Sequence, residues 1–133
     1  MKLGVLLFQI TAAVIFLQLL LGGLLTFNFM NATVHIVMGF VVFFLAIATM
    51  IVALISKPPL RSLKTTSIAM VVLLLVQILL GFDALSTNSS SIAWVHFVNA
   101  LLIYGLAVSG SFMAIQWSRT PQPQMKRATP GKA

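Results

Sequence analysis

Four apolar stretches, roughly 3–27, 34–55, 67–85 and 92–117, dominate this chain and leave it little that could fold in water. Each reaches the ~20 residues that carry a helix across a ~30 Å hydrocarbon core. Of the 133 residues, 60% are hydrophobic and 7% charged, with a mean hydropathy of +1.11. A soluble domain of this size needs more polar surface than these residues supply. The expectation is an all-α membrane protein, an antiparallel four-helix transmembrane bundle in contact with the lipid bilayer. Length allows one compact unit, here residues 1–117, followed by a basic tail over 118–133. That tail holds three prolines and four basic residues, which favours a disordered extension. The first stretch follows Lys2 as a signal peptide would. It is longer than an h-region of about 7–15 residues and no clean cleavage site follows, so a transmembrane helix is expected.

The net charge of +7 does not indicate nucleic acid, because of where the charges lie. All eight Lys and Arg residues (Lys2, Lys57, Arg61, Lys64, Arg119, Lys126, Arg127 and Lys132) fall on one side of a four-span topology. The other side carries 28–33 and 83–91, with Asp83 the single acid of the chain. The positive-inside rule then puts both termini in the cytoplasm of a multi-pass cell-membrane protein. Lys57-Pro58-Pro59 ends the second helix, since proline cannot continue the hydrogen-bond ladder. With no cysteine, disulfides and thiolate metal sites are excluded.

The first helical pair resembles the second. Gln18-Leu19-Leu20-Leu21-Gly22 matches Gln77-Ile78-Leu79-Leu80-Gly81, and Val34-His35-Ile36-Val37 matches Val95-His96-Phe97-Val98. Leucine matches mean little in apolar helices, but Gln, Gly and His in the same order point to two copies of a helical hairpin. The chain has no other histidine. A pseudo-two-fold axis would set His35 and His96 at equal depth, near the outer starts of parallel helices and facing the bundle centre. Such a pair forms axial ligands for a heme iron. Zinc or copper would need three or four protein ligands, which are not there. The alternative is two interfacial histidines, each bonded to a backbone carbonyl.

Small residues surround the expected site. Gly39 and Ala100 lie four residues after each His, on the same helical face. Gly22 and Gly81, with Gly23 beside the first, belong near the same depth and leave room for a porphyrin, or simply for close helix packing. Gln18 and Gln77, about one turn deeper, are expected to bond across helices rather than at the heme. No Arg or Lys lies on the outer side, so propionates would rely on Asn31, Thr33, Asn88, Ser89, Ser90, Ser91 or Trp94.

The Gln-x-x-Leu-Gly run on one helix, followed by His at the head of the next, resembles the heme A synthase family over about residues 3–117. Members are usually eight-helix proteins of two such bundles, and half-length four-helix forms occur. The resemblance implies that His35 and His96 are the axial ligands of one bundle, holding heme b. It also implies oxidation of a methyl group of heme O to give heme A, in service of cytochrome oxidase assembly. The family carries a carboxylate and often a cysteine pair near its substrate heme. Here there is no Glu and no Cys. The residues leave open a b-type cytochrome that transfers electrons within a respiratory oxidase or related complex, and a non-redox scaffold subunit. A homo-oligomer would supply further heme sites.

Overall fold

In a computed structural model, described over residues 2–56 and 61–119, the chain forms four helices and no strand. They are α1 (Lys2–Thr26), α2 (Ala32–Ile55), α3 (Arg61–Thr87) and α4 (Ser90–Arg119). All four are long and apolar enough to cross a bilayer, and the chain is a multi-pass membrane protein. In hydrocarbon every backbone N–H and C=O needs a partner within the protein, and a helix provides one for each residue along its length.

Most helix ends differ from those the apolar pattern predicts, and α3 and α4 are longer at both ends. The second begins at Ala32 rather than 34, with Asn31 as N-cap accepting from the Thr33 N–H at 2.8 Å. The first stops at Thr26 rather than 27, closed by a left-handed Asn28 (φ 59°). Phe29 N–H donates to Leu24 O at 2.9 Å and Asn28 N–H to Leu25 O at 3.0 Å, the two bonds of a Schellman motif. The third runs from Arg61 to Thr87, against an expected 67–85, because a polar sequence is no obstacle to a helix outside the bilayer core. Ser86 and Thr87 donate their hydroxyls back to Asp83 O, at 3.1 and 2.7 Å, within that last stretch. The fourth, expected over 92–117, starts at Ser90 and continues through Ser118 and Arg119, so these two residues belong to the helix and not to the tail. The rest of the expected tail, and Pro58 and Pro59, lie outside the described residues.

Packing is a square. Among the described residues, the backbone of α1 lies beside α2 and α4, that of α3 lies beside the same two, and the diagonals α1/α3 and α2/α4 are farther apart. The repeat is visible in what is buried. Phe8, Thr11 and Ile15 on α1 pair, 59 positions on, with buried Ser67, Met70 and Leu74 on α3. Val42, Ala46, Thr49 and Ala53 on α2 pair, 61 positions on, with buried Ile103, Ala107, Gly110 and Ala114 on α4. The two halves therefore bury equivalent positions, with bulk exchanged between them.

That exchange fills the end where α1 begins and α4 finishes. Phe8 lies against Gly110, where an added Cβ would stand 2.5 Å from its ring. Thr11 and Thr49 share a buried hydrogen bond of 2.8 Å between α1 and α2. Lipid tails are as apolar as leucine, so close fit and such bonds, rather than expulsion of water, hold these helices together. Small residues on α2 and α4 permit that fit. The opposite end of the bundle is hollow.

Candidate functional site

The hollow is a cavity of about 740 Å³. Its floor is a quartet of repeat partners, Ile15 with Leu74 and Val42 with Ile103, and Phe27 and Trp94 stand at its rim. Both histidines line it, as do Gln18, Gln77, Gly22, Gly39, Gly81 and Ala100, so the two repeat copies of the expected site meet in one place. His35 is in the first turn of α2; His96 lies nearly two turns into α4, because that helix starts earlier. Their ring centres are 6.2 Å apart with planes at 61°. Two diagonal helices with separated backbones thus bring their imidazoles together across the bundle axis.

The glycines act on the histidines themselves. A Cβ at Gly22 would sit 3.2 Å from His35 Cε1, and one at Gly81 would sit 3.0 Å from His96 Cε1. Each imidazole rests against the glycine of the preceding helix. At Gly39 the near neighbour is the Gln18 amide, 3.3 Å from where a Cβ would be. The small residues thus seat the two rings and one amide and, in doing so, leave the space between the rings open.

Hydrogen bonds run from α1 to α2 and from α3 to α4, within each hairpin. His96 donates its Nδ1–H to the backbone carbonyl of Gln77 at 3.1 Å, which fixes the tautomer and leaves Nε2 with a lone pair. An interfacial histidine would make the same bond, but it satisfies only one of the two ring nitrogens. Gln77 Oε1 accepts from Asn99 Nδ2 at 2.7 Å, and Asn99 also donates to Leu73 O at 3.1 Å. Gln18 donates its amide to His35 O at 2.8 Å, with the same nitrogen 3.4 Å from His35 Nε2. Among the described residues, His35 Nδ1 and Gln18 Oε1 are buried without a partner. Asn99, 8% exposed, was not among the sequence candidates. A lone amide inside an apolar run, three residues after His96 and on its face, is the signal that marks it.

Candidate propionate partners are mixed. Ser90 and Trp94 line the cavity, whereas the Asn31 carbonyl oxygen is engaged as a helix cap and Ser89 Oγ accepts from Ile92 N–H at 3.4 Å. Asp83 is exposed and does not line the cavity, so its only titratable side chains are the two imidazoles. Among the described residues no group of three or more metal-ligating side chains occurs, which leaves the imidazole pair alone as a donor set. Compared with family models, curated proteins and solved structures, the chain matches none.

Proposed function

We propose that this chain is a membrane heme protein in which His35 and His96 are the two axial ligands of one b-type heme. The observation that carries this reading is the 6.2 Å between facing imidazole centres at a shared cavity. Metal–imidazole bonds of about 2.0–2.1 Å on both sides of one ion, with about 1.1 Å from each nitrogen to its ring centre, call for about 6.3 Å. A cavity of about 740 Å³ is of the size that takes a cofactor.

A heme so held supplies one-electron redox chemistry at a potential set by its ligands and surroundings. The chain's own residues orient it. The Gln77 carbonyl presents His96 through Nε2, the glycines keep both rings upright, and the apolar floor excludes water from below. With the basic ends cytoplasmic, as the positive-inside rule directs, the cavity opens in the outer leaflet.

The Gln-x-x-Leu-Gly…His pattern favours a role in heme A formation or cytochrome oxidase assembly, by resemblance to heme A synthase. A second reading, a b-type cytochrome passing electrons within a respiratory complex, is favoured by a specific observation. No carboxylate lines the cavity, and two imidazoles saturate one iron. Reduced-minus-oxidised spectra of detergent-purified protein made with ample heme test the common claim: a low-spin spectrum is expected, and no heme absorption would refute it. Co-expression with a source of heme O separates the two roles, since only a synthase yields heme A in extracted pigment.

A further inference from the structure

The two halves of the site share one repeat but not one hydrogen-bond pattern. On the α3–α4 side His96 is pinned through Nδ1 to Gln77 O, and Gln77 is pinned in turn because Asn99 commits its side chain. On the α1–α2 side the position equivalent to Asn99 is Met38, and Gly39 stands where the other copy has Ala100. Gln18 therefore reaches across Gly39 to His35 O and lays its amide nitrogen 3.4 Å from His35 Nε2. A backbone carbonyl only accepts, so this bond fixes the amide with its nitrogen toward the ring. His35 Nδ1, the atom matching the pinned nitrogen of His96, has no partner at all.

Second-sphere bonds of this kind raise ligand basicity, and losing one typically weakens metal binding by about 10–100-fold. The two imidazoles are accordingly unequal as ligands. We propose that His96 is the fixed axial ligand and His35 a displaceable one, so that a small neutral ligand of the diatomic class can enter on the His35 side and accept a hydrogen bond from the Gln18 amide. This rests on the heme reading above. The exchange breaks one iron–nitrogen bond and makes one bond to the incoming ligand, with no electron or proton transferred. Donors on the open face of a heme are what govern the binding of such ligands, and Gln18 is the side-chain amide placed there.

The experiment uses the full chain in detergent, loaded with heme, and compares His35→Gly with His96→Gly, each with and without free imidazole. His35→Gly is expected to keep its heme and, when reduced, to bind carbon monoxide stoichiometrically. His96→Gly is expected to retain at least about tenfold less heme and to recover it with imidazole, which also shows that the variant is folded. In the His35→Gly background, Gln18→Leu should raise the C–O stretching frequency by removing the donor. Equal heme content in the two glycine variants, or a C–O stretch that Gln18→Leu does not move, would overturn the proposal while leaving the heme reading intact. A wild-type protein without heme would overturn both.

Discussion

His35 and His96 face each other across the bundle with ring centres 6.2 Å apart, each ring seated on a glycine of the preceding helix. The seats differ in what they allow. A methyl at Gly81 would press to 3.0 Å on an imidazole held by Gln77 O at 3.1 Å, whereas a methyl at Gly22 would meet, at 3.2 Å, a ring held only by the longer 3.4 Å contact of its Nε2 with the Gln18 amide. Gly81→Ala is therefore expected to lower heme retention on the order of tenfold, and Gly22→Ala much less. Heme-to-protein ratio after purification reads this directly. The reverse order would mean that the Gln77 bond does not restrain His96.

Asn99 holds the site from beneath, with bonds to Gln77 Oε1 at 2.7 Å and Leu73 O at 3.1 Å. Asn99→Leu strands a buried amide oxygen, and the expected loss is about 1–2 kcal/mol, seen as a lower melting temperature in detergent. Adding Gln77→Leu removes the stranded group as well, so the double variant should melt above the Asn99→Leu single. Additive losses in this double-mutant cycle would show that the two amides are not coupled.

How far the fold is legible in sequence depends on which residues are unusual in a membrane helix. Apolar length alone gives four spans, and Gln, Gly and His, being rare there, expose the repeat and place the site. What is not legible is where the repeat fails. Met38 against Asn99, and Gly39 against Ala100, look like minor drift, yet they turn Gln18 toward a histidine and Gln77 away to an asparagine. Helix ends are also missed, because residues 61–66, 86–87 and 90–91 are too polar to count as span and still helical. The glycines were legible as space; that the space seats imidazoles follows only from the packing of α1 on α2 and α3 on α4.

At the closed end, two contacts of similar appearance should differ in weight. Thr11→Val removes the 2.8 Å bond to Thr49, but the Thr49 hydroxyl keeps its bond to Leu45 O at 2.9 Å. The loss should be about 0.6 kcal/mol, the usual size for such bonds in membrane proteins. Gly110→Ala adds one methyl 2.5 Å from the Phe8 ring, which has no free end to move aside. Overpacking of this kind costs about 1–3 kcal/mol. Thermal unfolding in detergent should rank Gly110→Ala below Thr11→Val, and Phe8→Leu should restore part of the loss in the Gly110→Ala background. Equal melting temperatures would mean that α1 and α4 separate easily at this level.

The absence of cysteine makes orientation directly measurable, because a single introduced thiol has no background. Ser62 and Ser86 are both exposed, near opposite ends of α3, and neither lines the cavity. Arg61 and Lys64 flank the first, whereas Asp83 is the charge near the second. With basic residues retained in the cytoplasm, Ser86→Cys in intact cells should react with a membrane-impermeant maleimide, and Ser62→Cys only after the cells are opened. The opposite pattern would invert the bundle and turn the cavity, with His35 and His96, toward the cytoplasm.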